Sequence, residues 1–307
     1  MSPPRKLGVD MRFEAVRLVV LESNRQVRQA LIAHLFHHGF RDIVETDRLS
    51  DVEERLTKDS VDLLIASVQG DADQTVATVL RKVRHQEIGD NPFILATLLT
   101  TNTAFDSVNA LLNTGPDDVL IAPTSVGAIY RRIMTRVQMR KPFIVTSEYI
   151  GPDRRNERLP NSGDEHVLVS VPNPLRAKAT GEGLNDLAKQ CLQTKRIING
   201  MSVECAAQQI VSAGSRLPTL SHNQDDRPAV VSDFNRLTTS LANLRRVIPG
   251  TAYEDLESPA GRLADALGAL GADPTLGTTG ARKNIESLSK ALFHAMEDLR
   301  KKATAGR

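Results

Sequence analysis

Five side chains in the first half of the chain sit where short apolar runs end. Glu22 and Ser23 follow the run 16–21, Ser67 follows 61–66, Thr97 closes 93–98, and Ala122 follows 119–121. Only Glu22 carries a carboxylate; the others offer hydroxyls or a methyl group. A hard divalent cation wants several carboxylate or carbonyl oxygens. One carboxylate beside two hydroxyls therefore predicts at most weak magnesium binding at Glu22, and no metal or cofactor is expected. Ser67 has no neighbouring base in the sequence, and an unactivated hydroxyl is a poor nucleophile. His34 and His38 stand at i, i+4, a spacing that can hold zinc, but Leu35 breaks the HExxH frame and a partly exposed helix face is expected instead. Asp117-Asp118 could pass for a carboxylate dyad; its place before an apolar run predicts a solvated turn. Arg154 and Arg155 end the stretch Tyr149-Ile150-Gly151-Pro152-Asp153-Arg154-Arg155. Gly-Pro-Asp suits a turn. The arginine pair is read either as a contact for an anion or partner or as a solvated cap, with 143–150 packing back on the domain.

These residues need elements to position them. The runs 16–21, 61–66, 93–98 and 119–121, with a weaker one at 43–44, are short and rich in β-branched residues. Such runs fit strands of a parallel sheet buried on both faces. Between them, apolar residues recur at helical spacing: Val27, Leu31 and Leu35; Leu49, Val52 and Leu56; Val76, Leu80 and Val83; Val108, Leu111 and Leu112; Val126, Ile129, Ile133 and Val137. Asn24 and Ser125 are placed to cap the first and last of these helices, and Gly39 to close the first. Gly70-Asp71 reads as a turn or cap before the third. Five strands alternating with five helices predict a doubly wound α/β domain over 14–140, with a five-stranded parallel sheet. Ligands of such sheets bind beyond the carboxyl ends of the strands, where the five side chains above would gather.

At this point the chain resembles the receiver domain of bacterial two-component response regulators. The resemblance rests on Leu18-Val19-Val20-Leu21-Glu22-Ser23-Asn24 with Val27-Arg28, on 61–67, on 92–97 and on 115–123, whose order and intervals fit the family. It implies the flavodoxin-like fold and a signalling role. In that family two acids after the first strand and an aspartate at the third hold magnesium, and the aspartate takes the phosphoryl group. The matching positions here are Glu22, Ser23 and Ser67. The lysine that pairs with the phosphoryl group is matched by Ala122, and an often aromatic position by Val119. Only Thr97, read at the switch-hydroxyl position, agrees. The resemblance therefore implies a degenerate receiver that is not phosphorylated by the usual route and is not an enzyme. It implies protein partners in a bacterial signalling pathway, met through the fourth helix, fifth strand and fifth helix at about 104–140.

The rest of the chain has another texture. Residues 147–182 are rich in Pro, Gly, Asn and charge, so 141–182 reads as an extension and linker. Residues 183–304 hold helical patterns only, at about 183–213, 229–248, 259–270 and 281–303, forming an all-α region. Gly200 offers a break in the first, and Gly271 an end to the third. Val230, Phe234, Leu237, Leu241, Leu244 and Ile248 make one apolar seam; Ile285, Leu288, Leu292, Ala295 and Leu299 make another. Seams of this kind need an apolar partner face, supplied either within one bundle or by a homodimer through these C-terminal helices. The motif around His294, His294-Ala295-Met296-Glu297, lacks the pattern of a phosphotransfer histidine.

Composition sets outer bounds. The 307 residues carry 39 Lys+Arg against 37 Asp+Glu, a formal charge of +2. That balance and the scattered basic residues speak against nucleic acid as a partner; a regulator whose helical half binds nucleic acid is the alternative reading. No apolar run reaches about 18 residues, so no membrane span is expected. The N-terminus has no apolar core of a secretory signal, and two cysteines make no disulfide framework. A cytoplasmic protein is the simplest expectation.

Overall fold

A computed structural model describes residues 11–68, 75–154, 167–219, 226–270 and 278–305. Asp71, Gly70, Arg155 and Gly271 lie outside the described residues. The chain divides into two compact units, one of 1–145 with 149–194 and one of 146–148 with 195–307.

The first unit is built on five parallel strands: β1 (Arg17–Leu21), β2 (Asp42–Thr46), β3 (Leu63–Ser67), β4 (Leu95–Thr100) and β5 (Asp118–Ile121). Their order is β2-β1-β3-β4-β5. The helices α1 (Arg25–His37), α2 (Leu49–Lys58), α3 (Val76–Arg84), α4 (Phe105–Leu112) and α5 (Val126–Gln138) alternate with them. Successive strand residues face opposite sides, and the apolar ones divide accordingly. Leu18, Val20, Leu63, Ile65, Leu95 and Leu99 pack with Leu31 and Leu35 of α1 and Ile129, Ile133 and Val137 of α5. Val19, Leu64, Ala66, Ala96 and Leu98 pack with residues of α2 and α3. Asn24 caps α1 by accepting from the backbone N–H groups of Gln26 and Val27, and Ser125 caps α5 by accepting from Ala128. The expected doubly wound fold is present.

In the segment expected to be an extension and linker, the described residues 141–154 and 167–182 belong to this unit and carry regular structure. Strands β6 (Phe143–Val145), β7 (Ile150–Pro152) and β8 (Leu168–Val169) form a small antiparallel sheet in the order β7-β6-β8. Helix α6 (Pro174–Thr180) follows, and its Leu175 and Ala179 are buried in the α1–α5 layer. Strands this short leave no period in a polar stretch; β6 is three residues long and is paired by β7 on one side and β8 on the other. Gly115, at φ +84°, lies under the carbonyl of Ile150, where a Cβ would come within 2.6 Å of that oxygen.

Helix α7 (Leu187–Arg216) begins in the first unit and runs through Gly200 without a break. The second unit adds α8 (Arg227–Val247), α9 (Glu257–Gly268) and α10 (Thr279–Ala305). Its core joins Val203, Ala207 and Ile210 of α7 with Leu237, Leu241 and Leu244 of α8, Leu263 of α9, and Ile285, Leu292 and Met296 of α10. Both apolar seams are thus buried within one chain, and the bundle gives them their partner faces. A side chain at Gly214 would overlap Ser289, so α7 and α10 approach there at a spacing that glycine admits. Arg216 pairs with Asp233, and the Tyr253 hydroxyl donates to Glu204. No helix among the described residues is long and apolar enough to cross a membrane.

Candidate functional site at the carboxyl edge of the sheet

The parallel strands end together at one rim. The register pairs Leu21 with Ala66, Ser67 with Leu99, and Thr100 with Ile121. Glu22 and Ser67 therefore meet across β1 and β3. The Ser67 hydroxyl donates to Oε2 of Glu22, and the Asn24 backbone N–H donates to Oε1 at 2.8 Å. Both carboxylate oxygens of Glu22 are engaged by neutral donors, and the side chain is buried. Ala122 stands opposite, its N–H donating to the Thr100 carbonyl at 2.7 Å; the Ala122–Pro123 peptide is cis.

These residues border a cavity of about 490 Å³. Glu22, Ser67 and Ala122 line it as expected, together with Thr100, Thr101 and Thr124. Val27, Leu31, Leu99, Val126 and Ile129 supply an apolar wall between α1 and α5.

Two expected members are elsewhere. Ser23 is exposed and outside the lining. Thr97 does not close β4. It pairs with Ile65 and Asp118, is fully buried, and its hydroxyl has no hydrogen-bond partner. It lies three residues before the end of the strand, roughly 10 Å at about 3.3 Å per residue. The hydroxyls at the rim are Thr100 and Thr101. Leu98-Leu99-Thr100-Thr101 carried the signal, since the apolar run continues one residue beyond 98. Phe93 is an apolar anchor ahead of β4, so counting it as strand moved the expected end too early.

Glu22 is the one carboxylate among the cavity's lining residues. Among the described residues no group of three or more His, Cys, Asp or Glu side chains is arranged to hold a metal. The donor set does not fit the magnesium cage of a receiver: Ser67 cannot act as an anionic ligand, and its hydroxyl occupies an oxygen that a cation would need.

The opposite, amino edge holds the acids and cations. Asp117 and Asp118 do not form a solvated turn. Asp117 takes Arg84 Nη2 at 2.9 Å and Arg140 Nε at 3.3 Å, with all three side chains buried. It also accepts from the Ala96 N–H at 2.9 Å. Arg84 spends its other donors on the carbonyls of Gly115, Pro92 and Ile94. Burial lowers its pKa to about 10, against the opposing pull of Asp117. Asp118 holds Arg136 through two bonds of 2.8 Å. Arg154 is buried and donates to the Pro116 carbonyl, so it is neither a solvated cap nor an open anion site; its neighbour Arg155 is not described. Arg84, Arg136, Arg140 and Arg154 thus spend their donors within the fold, on Asp117, Asp118 and backbone carbonyls at this edge.

The histidine cluster flanks Tyr130 on α5. The His38 ring stacks on Tyr130 at 3.8 Å between centroids, and His34 meets it edge-on at 5.8 Å. His294 is exposed, with Glu297 3.8 Å away.

A doubly wound parallel sheet in the order β2-β1-β3-β4-β5 is the flavodoxin-like fold, which receiver domains share. Solved structures of that class are similar to the chain. An orphan response regulator of H. pylori is 21% identical, covering 41% of this chain and 98% of its own, with a TM-score of 0.35. A LuxR-family DNA-binding response regulator of Staphylococcus aureus is 18% identical, covering 39% and 97%, with a TM-score of 0.35. A CheY-like receiver domain protein of Methanospirillum hungatei is 12% identical, covering 39% and 92%, with a TM-score of 0.35. No protein-family model and no curated protein matches the chain.

Proposed function

We propose that the chain is a signalling protein whose receiver-fold unit works by recognition, without aspartyl phosphorylation and without catalysis. The Ser67–Glu22 hydrogen bond carries this reading. An acyl phosphate forms on a carboxylate nucleophile, and position 67 offers a hydroxyl already donating to its neighbour. The cation that would neutralise a transferred phosphoryl group is replaced by the Ala122 methyl group. Recognition has a candidate surface on α4, β5 and α5, where Phe105 is 79% exposed and Ile121 50%. Lacking a phosphoryl trigger, the unit holds one state or shifts when a protein partner binds one of two states better. The near-neutral charge gives no electrostatic footprint for nucleic acid.

The test is incubation with acetyl phosphate, and separately with beryllofluoride and magnesium. Intact mass and amide spectra should stay unchanged. A stoichiometric phosphoprotein, or a beryllofluoride-dependent shift at residues 22, 67 and 122, would refute the reading.

A further inference from the structure

The cavity at the carboxyl edge of the sheet has a chemistry of its own. The cavity of about 490 Å³ falls within the 300–1,000 Å³ usual for small-molecule sites. Its wall of Val27, Leu31, Leu99, Val126 and Ile129 is aliphatic. Its polar lining includes the Glu22 carboxylate, bonded by the Ser67 hydroxyl, and the hydroxyl-bearing Thr100, Thr101 and Thr124.

The charge is one-sided. Neither lysine nor arginine is among the lining residues. Arg28 is the nearby cation, and it is committed to the Glu22 backbone carbonyl and to the Glu45 carboxylate at 3.0 Å. Glu22 is 8% exposed, and a buried carboxylate facing only neutral donors is undercompensated. Each of its oxygens accepts one hydrogen bond here, from Ser67 and from Asn24. A carboxylate oxygen has room for a second. An ammonium group at that point would supply the missing positive charge through charge-assisted hydrogen bonds. A phosphate or carboxylate would meet a like charge with no cation to offset it.

We infer that this cavity is a binding site for a compact aliphatic amine, with the ammonium on Glu22 and the hydrocarbon body between α1 and α5. The site goes beyond the recognition role proposed above and does not rest on it. Ala122 sets the room available, because a longer side chain there would project into the space that the ligand's body takes.

The experiment uses the full chain, with amide spectra recorded during titration by cyclohexylamine, hexylamine, hexanoate and inorganic phosphate. Saturable shifts confined to the cavity residues are expected for the amines. Hexanoate should bind about tenfold more weakly or less, as the loss of one charged hydrogen bond entails. Glu22→Gln keeps an acceptor for the Asn24 N–H, lets the Ser67 hydroxyl turn to accept from the new amide, and should weaken the amine by about the same factor. Ala122→Met places a longer side chain at the lining with Glu22 intact, and should abolish saturation. Failure of both amines to saturate, equal binding of hexanoate, or unchanged amine binding in either variant would overturn the inference. No readout involves acetyl phosphate, so the two proposals can fail separately.

Discussion

Ser67 and Glu22, 45 residues apart, form a donor–acceptor pair across the ends of β3 and β1. The pair explains why the site is neutral in its bonding though it carries one charge. Replacing Ser67 by Asp sets two carboxylates against each other, which raises the pKa of one of them. A shift of one unit is about 1.4 kcal/mol, or about 3–6 °C in melting temperature for a domain of this size. Ser67→Asp should lower the melting temperature by about that much, and magnesium should restore it by giving the two acids a shared cation. With Ala122→Lys added, acetyl phosphate should label the protein in a magnesium-dependent way. Thermal melts with and without magnesium, and phosphate-affinity gels, are the checks; a double variant inert to magnesium would contradict this account.

Asp117 neutralises two arginines that water does not reach. Removing one member of a buried pair leaves an uncompensated charge and costs about 3–5 kcal/mol. Asp117→Ala should fall in that range by urea denaturation. Arg84→Met should cost less, because Asp117 keeps Arg140 and the Ala96 N–H. Equal losses would mean that Asp117 is held chiefly by Arg84.

Asp62 is 1% exposed at the amino edge and pairs with Lys178 of α6 at 2.7 Å. Burial, its largest influence, raises its pKa above the usual carboxylate value, while Lys178 and the Arg17 N–H oppose that. A raised folded-state pKa contributes stability at acid pH that is lost as pH rises through it. Lys178→Met removes one opposing partner and should destabilise the protein most at neutral pH, less near pH 4. Asp62→Asn should flatten that dependence. Denaturation midpoints across this range decide it, and a Lys178→Met loss that grows toward acid would contradict the assignment.

His38 behaves in the opposite sense. Burial first, then the His34 and His37 charges, hold its pKa below 6.5. The unfolded chain therefore binds the proton more readily, and the stability contributed above pH 6.5 is lost as pH falls from that value through the lower folded-state pKa. His38→Phe keeps the stack on Tyr130 and should shrink the fall in melting temperature between about pH 7 and pH 5. An unchanged acid limb in that variant would contradict this account.

Much of this molecule was legible in one dimension. Strands of a parallel sheet and the stripes of its helices are local patterns of period two and 3.6, so their number, order and class could be read directly, with the caps at Asn24 and Ser125. The identities of Glu22, Ser67 and Ala122 were legible too, because each stands at the end of an apolar run. Where a strand begins and ends was not. An apolar run records burial, and burial extends to Phe93 because the β6–β8 sheet covers that edge, so Thr97 was read as a rim residue in place of Thr100. The fate of charge was hidden as well. Arg84 and Asp117 are 33 residues apart, and Asp62 and Lys178 are 116 apart. Whether an Asp-Asp pair is a wet turn or the centre of a dry ion cluster depends on which distant segments fold over it, and only the assembled chain decides that.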